Sequence, residues 1–470
     1  MLLAALFSVA LVVQDQASLR AAAQDSAPRQ ATLWQGEWLE VRGERQGFVQ
    51  VYDHRRERPG YLRQHQVRIY TLDEKSAPRL AAVVDFLRDT PGAEALGIGY
   101  AAALLKAAPP DQVSPELFEA LGSMADRLAQ RASTLNGRDK EKEAAMAAHL
   151  DVVAGYGVKM KSFEREGRTR VCYDGEAFRR VLALGGSPLS RVRSALALTR
   201  PECVDPSVNP VERQQLDEWR AMVLEQVDAS RVPLYLANRL HLRRAEVSAT
   251  LAYGFIRRGE AEKAAKAQAR ALAALAVVEK SELADEDKGA YARAAVRVGA
   301  TRWASELPPP NGGGLRLEAA AGGPGETCLK LRDGKGEAPL LEKCTFGVVW
   351  LASARASGRG NALAVAVQML EGWTELWLFH RDGEGWKVDA LAPAATEPKL
   401  GYVELAGFTP DGAKLLVARE ALVDGRVKSS FQVLGLDTLA PEKSADKPDA
   451  LSAFQRWSTA DWRAGTVAVR

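Results

Sequence analysis

The chain has 470 residues, 47% hydrophobic and 26% charged, with a formal net charge of +3. This length and composition fit several globular domains and exclude an extended disordered chain. So small a charge gives no warrant for a nucleic-acid groove or an anionic-membrane surface, and no nucleic-acid partner is expected.

Residues 1–13, MLLAALFSVALVV, form an unbroken apolar run followed at once by polar Gln14, Asp15 and Gln16. A run of that length is too short to cross a bilayer permanently and matches the apolar core of a secretory leader. The basic start of such a leader is missing, because no Lys or Arg precedes Arg20, and no Cys stands nearby to carry a lipid. Residues 1–16 are read as a signal peptide, with a buried N-terminus as the alternative, so the mature chain is expected to be periplasmic or secreted. No later segment reaches the roughly 18 apolar residues that a span needs, so no integral membrane span is expected in the mature chain.

Short strands follow over residues 17–70. Leu39 and Val41 alternate with Glu40 and Arg42, and Val49 and Val51 alternate with Phe48, Gln50 and Tyr52, the period-two pattern of half-buried strands turning through Gly43 to Gly47. A charged turn, Asp53 to Pro59, leads to Gly60, Tyr61 and Leu62. Leu19-Arg20, Gln35-Gly36, Phe48 and Gly60-Tyr61-Leu62 together resemble the order of motifs in bacterial SH3 domains, with Ala21 to Ala23 replacing the family's usual Gly-Pro turn. The resemblance implies a small β-barrel that binds a cell-wall peptide or another protein. Trp34, Trp38, Phe48, Tyr52 and Tyr61 are its candidate groove aromatics, and Arg55, Arg56, Arg58 and Arg63 could attract a ligand's carboxylates. The plainer reading is that the aromatics fill a small core and the arginines solvate a hairpin.

From Thr71 to Leu307 the pattern turns helical. Ala77 to Asp89 carries Leu80, Val83, Val84 and Leu87 at helical spacing and stops at Pro91-Gly92, and a second helix runs from Glu94 to Ala107. Ser114-Pro115 opens a third, with Leu117, Leu121, Met124 and Leu128 as its buried stripe. Lys140 to Tyr156 is another, 158–173 has the look of a small hairpin, and two further helices end near Leu184 and Thr199. Helices are also predicted over 209–228 and 235–259. Leu251 to Leu272, with its turn at Gly259-Glu260 and closing Ala271-Leu272, resembles the centre of a tetratricopeptide repeat, and a plain helical bundle fits equally well.

A Pro/Gly-rich linker, 308–325, leads to a strand-rich region, 326–470. Strands are predicted over 328–331, 346–352, 362–369, 375–380, 386–391, 402–408, 415–419 and 431–436, with Asp-Gly turns at 382, 411 and 424. Ala354 to Val367 aligns with Ala406 to Arg419 at an offset of 52 residues, an internal repeat. Its second copy, Phe408-Thr409-Pro410-Asp411-Gly412, resembles blades of TolB-like β-propellers. The stretch is too short for most closed propellers, so an incomplete propeller or meander is expected, with Trp350, Trp373, Trp377 and Trp386 in its core. The fold class expected is thus a multidomain α+β chain: N-terminal SH3-like barrel, central all-α region, C-terminal antiparallel β-domain.

The four cysteines fall in two groups. In an exported chain Cys172 pairs with Cys203, at the two ends of an αα-hairpin, and Cys328 with Cys344; the alternative is buried free thiols. Zinc fits poorly without a C-x-x-C pair or a nearby histidine, and no metal or cofactor is expected. His54, His65, His149, His241 and His380 are scattered without metallohydrolase spacing. Gly97-x-Gly99-x-x-Ala102 mimics a dinucleotide fingerprint but lies in a helix with no preceding strand, which points to close helix packing. No catalytic residue is assigned. The expectation is a non-enzymatic envelope protein that binds or scaffolds a cell-wall peptide or an envelope protein. The alternatives are a peptidoglycan hydrolase using carboxylates that the sequence does not locate, and a cytosolic interaction scaffold.

Overall fold

The computed structural model describes residues 8–306, 314–334, 336, 338–395 and 400–465; residues 1–7 of the expected leader and 308–313 of the expected linker lie outside them. The chain divides into two compact units, residues 1–209 with 226–232, and residues 210–225 with 233–470. The helical stretch predicted over 71–307 is thereby shared between the units.

The N-terminal unit begins with seven strands: β1 (Ser8–Val12), β2 (Ala17–Arg20), β3 (Arg29–Leu33), β4 (Trp38–Arg45), β5 (Phe48–Asp53), β6 (Arg58–Arg63) and β7 (Val67–Thr71). They form one antiparallel sheet in the order β3-β2-β6-β5-β4-β1-β7. Its inner face buries Ala10, Val12, Leu19, Leu33, Leu39, Val49, Val51 and Leu62. The sheet starts at Ser8, inside the stretch read as a leader, and not at Ala17. The reason is physical. On β1, Ala10 and Val12 belong to the inner core while Val9 and Leu11 join the core of the neighbouring helices. A strand buried on both faces has no polar positions, so it reads as a continuous apolar run.

The helices of this unit are α1 (Ala77–Arg88), α2 (Glu94–Ala107), α3 (Pro115–Ser133) and α4 (Lys140–Ala154), then the hairpin β8 (Met160–Arg165) and β9 (Arg168–Tyr173), then α5 (Glu176–Ala183) and α6 (Pro188–Leu198). Leu80, Val84 and Leu87 of α1, Ile98 and Ala101 of α2, and Leu117, Met124 and Leu128 of α3 form their shared core with Val9, Leu11 and Tyr70 of the sheet. The Gly97-x-Gly99 pair serves this packing. A side chain at Gly97 would collide with Met124, and one at Gly99 would lie 2.7 Å from the Gly36 carbonyl oxygen. Cys172 on β9 is bonded to Cys203, in the 3-10 turn after α6, which joins the two ends of the α5–α6 hairpin as expected.

In the C-terminal unit, α7 (Pro210–Glu225), α8 (Leu234–Arg257), α9 (Ala261–Ala276) and α10 (Asp285–Ala300) bury small residues, among them Ala245, Ala249, Ala271, Ala294 and Ala295, so that α8, α9 and α10 approach closely. Strands β10 (Arg316–Ala321), β11 (Thr327–Arg332) and β12 (Leu341–Thr345) form a three-stranded antiparallel sheet in which Cys328 and Cys344 face each other and are bonded. The remaining strands are β13 (Val348–Ala356), β14 (Ala362–Leu370), β15 (Trp373–Arg381), β16 (Trp386–Leu391), β17 (Gly401–Phe408), β18 (Lys414–Val423), β19 (Arg426–Gly435) and β20 (Pro441–Ala445), followed by the short helices α11 (Ser452–Trp457) and α12 (Ala460–Gly465).

The repeat seen in the sequence is two four-stranded antiparallel meanders, β13–β16 and β17–β20, joined by a brief parallel pairing of β15 with β17 into one mixed sheet. It recurs at the level of single atoms. In the first copy the Ser357 hydroxyl accepts the Ala362 N–H (3.1 Å), and in the second the Thr409 hydroxyl accepts the Lys414 N–H (3.0 Å). Gly360 and Gly412 hold the matching left-handed position at φ +67° and +65°. Asn361 then donates to the Gly412 carbonyl (3.0 Å), tying one turn to the other. The meanders share a core in which Ala362, Ala364, Leu376 and Leu378 of the first meet Val403, Leu415, Val417 and Leu434 of the second. Trp350, Trp373 and Trp377 are buried, and Trp386 is half-buried.

Candidate functional site

The predicted ligand residues lie on the first sheet and its turns. Asp53, 2% exposed, accepts the Arg55 and Arg56 N–H groups (3.0 and 3.1 Å) and closes the turn after β5. Arg56 bonds Glu37 (2.6 Å) and Asp53 (2.8 Å). Burial works against its charge, but these two acids outweigh that and hold the guanidinium above its ordinary range. Arg55 pairs with Asp151 of α4, and Arg63 pairs with Asp25 while lying over the Phe48 ring at 4.4 Å. Arg58 donates to the carbonyls of Gln30 and Arg56. Three of the four arginines therefore already hold a carboxylate of their own chain.

The aromatics do not converge on one groove. Trp38 donates to the Gly99 carbonyl (3.2 Å), lies against Tyr156 at 5.3 Å and is capped by Lys106, so α2 and the end of α4 cover it. Trp34 meets His149 edge-on at 6.1 Å. Tyr52 and Tyr61, both half-buried, share the open part of the outer face, with Tyr52 beside His54 and Arg42 and Tyr61 opposite Gln50.

Beside Trp34 the unit contains a cavity of about 330 Å³, lined by Asp15, Gln35, Arg131, Lys142, Met146 and His149 among others. Each element brings its residue there for a local reason. Asp15 lies in the tight turn after β1, where Gln16 has φ +58°. Gln35 precedes Gly36, whose φ of +92° and closeness to Ala95 leave no room for a side chain, since a Cβ would lie 2.4 Å from the Ala95 carbonyl oxygen. Tyr156 secures that loop by donating to the Gly36 carbonyl. His149, 5% exposed, lies on α4.

The polar groups form a connected set. His149 Nε2 is 2.8 Å from Asp15 Oδ1, and the Gln35 N–H donates to the same oxygen (3.2 Å). The Gln35 amide nitrogen reaches Gly92 O (3.1 Å) and lies 3.4 Å from both Asp15 Oδ2 and His149 Nε2. Burial raises the Asp15 carboxyl, but the hydrogen bond and charge of His149 and the Gln35 donors prevail and hold it below its ordinary value. On another wall Arg131 pairs with the fully buried Glu94, which also takes Arg127 at 2.6 Å. Arg131 keeps 40% of its side chain exposed. Lys142, 78% exposed, is 3.0 Å from Asp139. Among the described residues no hydroxyl or thiol is hydrogen-bonded to His149. The arrangement presents fixed charges and hydrogen-bonding groups to the cavity.

None of Asp15, Arg131 and Lys142 was singled out from the sequence. Asp15 lies within the expected leader, Gln35 in the Gln35-Gly36 motif, and His149 among five histidines without metallohydrolase spacing. Their assembly depends on packing between residues up to 134 positions apart.

In the C-terminal unit, Glu371 in the β14–β15 turn accepts from Thr250 (2.9 Å) and Arg297 (2.6 Å) and lies 3.5 Å from Arg213, fastening the sheet to α7, α8 and α10. Glu326 lies close to the sulfurs of Cys328 and Cys344, but these are joined to each other and offer no thiolate to a metal. No helix among the described residues is long and apolar enough to cross a membrane. No family model matches the chain, and no curated protein or solved structure matches it significantly.

Proposed function

We propose that this is a non-enzymatic binding or scaffolding protein of the bacterial envelope, periplasmic or secreted, whose N-terminal sheet works as an SH3-like module for a cell-wall peptide or an envelope protein. The observation that carries the reading is the cavity beside Trp34, where rigid elements hold Asp15, Gln35 and His149 in one hydrogen-bonded set facing Arg131 and Lys142. Its size and its mixed apolar and polar lining support recognition of a small ligand. The oxidised state of both cysteine pairs supports an oxidising compartment. Two meanders that share a core, with matching turns, support the propeller-like reading of the C-terminal region as a second interaction surface.

Within this reading the recognition surface moves. The arginine turn gives way to the cavity, because Arg55, Arg56 and Arg63 are engaged by Asp151, Glu37, Asp53 and Asp25. The test is co-sedimentation of the purified, oxidised protein with peptidoglycan sacculi, with capture from a solubilised envelope fraction in parallel. Retention on sacculi or recovery of one stoichiometric envelope partner is expected; failure of both removes binding as the main role.

A further inference from the structure

We infer that the cavity beside Trp34 takes a zwitterionic ligand, a short peptide or amino acid with a free ammonium and a free carboxylate, the ammonium on Asp15 and the carboxylate on Arg131 and Lys142. This deepens the binding reading above and rests on it. The two walls carry opposite charge. Asp15 is fixed through Oδ1 by His149 and the Gln35 N–H, while among the described residues Oδ2 has only the long 3.4 Å contact to the Gln35 amide. One carboxylate oxygen therefore faces the cavity with acceptor capacity to spare, and the carboxyl is held in its charged form.

On the opposing wall, among the described residues, one guanidinium nitrogen of Arg131 is engaged, by Glu94, and Lys142 pairs with Asp139 while keeping 78% of its side chain exposed. Between them Met146, Ala145 and Leu135 give an apolar floor suited to a small aliphatic side chain. A purely anionic ligand would meet Asp15, and a purely cationic one would meet Arg131 and Lys142, so each would place a like charge against a wall. A ligand carrying both charges satisfies both.

The experiment titrates the full-length oxidised protein with alanyl-alanine, N-acetyl-alanyl-alanine and alanyl-alanine amide, followed by calorimetry and by chemical-shift changes at His149. The free dipeptide is expected to bind, and blocking either end to weaken it about ten-fold or more, as loss of one charge-assisted hydrogen bond does. Asp15→Asn should abolish the preference for a free ammonium and leave the preference for a free carboxylate. Lys142→Gln, at an exposed position of α4 where the ammonium pairs with Asp139 and the backbone N–H that Asp139 caps is kept, should reduce the second preference alone. Equal binding of all three dipeptides, or no binding of alanyl-alanine at millimolar concentration, overturns the assignment. If sacculi still retain the protein while the dipeptides fail, the zwitterion site is wrong and the binding role stands. If the dipeptides bind and neither sacculi nor an envelope partner does, the site stands and the envelope role is wrong.

Discussion

Leu11→Ala separates a structural strand from a removable leader. Leu11 is 1% exposed, pairs with Trp38 on β4 and Arg68 on β7, and packs into the helical core with Val9, Tyr70 and Ile98. Truncating a buried leucine costs about 2–5 kcal/mol, the upper part applying where neighbours cannot relax into the space. Leu11 is pinned by strands on both sides and helices above, so its site has little room to collapse. A domain of this size loses about 2–4 °C of melting temperature per kcal/mol, so the N-terminal unit should melt about 4–20 °C lower. Differential scanning calorimetry reads this directly, with Cys328→Ser/Cys344→Ser protein marking which transition belongs to the C-terminal unit. A chain beginning at Ala17 lacks β1 altogether and should lose the native transition of the N-terminal unit. An unchanged melting profile for Leu11→Ala, or native-like melting of the chain from Ala17, would show that β1 is dispensable and the reasoning wrong.

Further outcomes are expected elsewhere. Removing the Cys328–Cys344 bond, which closes a loop of 16 residues, should cost about 3 kcal/mol on chain-entropy grounds, seen as a lower denaturation midpoint of the C-terminal unit. Glu371→Ala leaves Arg213 and Arg297 without their shared acid; as Glu371 keeps 31% of its side chain exposed, the loss should be about 1–3 kcal/mol, measured by chemical denaturation. Burial works to raise the Glu94 carboxyl, but Arg127, the Gly92 N–H and Arg131 outweigh it and hold it below 4.5. A carboxyl depressed on folding stabilises fully above its unfolded value and ceases to do so as pH falls through the folded one. Stability of the N-terminal unit should therefore fall with pH below about 4.5, and Glu94→Gln should flatten that dependence. Parallel pH profiles for the two proteins would refute it.

The amphipathic helices were legible from their spacing, and the buried strands from the turn residues that bound their apolar runs. α1 shows apolar residues at helical spacing with Pro91-Gly92 as the stop, α2 lies over the predicted Glu94–Ala107, and β14, β15, β17 and β18 lie over the predicted runs although both their faces are buried. The repeat was readable because its turn depends on a hydroxyl at 357 and 409 and a glycine at 360 and 412. β1 carries no strand signal of its own because its apolar run continues that of residues 1–7 with no turn residue before it, so it has the pattern of a leader's apolar core. β10, β12 and β20 were missed because they are edge strands with few buried side chains. The site was illegible for a different reason: Asp15, Gln35 and His149 carry no spacing signal and meet only after α4 docks on the sheet.

The place of β1 in the sheet also bears on how the protein is made. Ser8–Val12 are synthesised well before their neighbour β7, which ends only at Thr71, and the helices that cover the second face come later still. At about 5–20 residues per second, the interval before β7 is complete lasts about 3–12 s. Throughout it an apolar segment with no partner on one edge and no cover on one face is offered to every factor that surveys nascent chains. The same five residues thus have two audiences, the cellular machinery that reads emerging hydrophobic segments and the sheet that later encloses them, and the order of synthesis presents them to the machinery first.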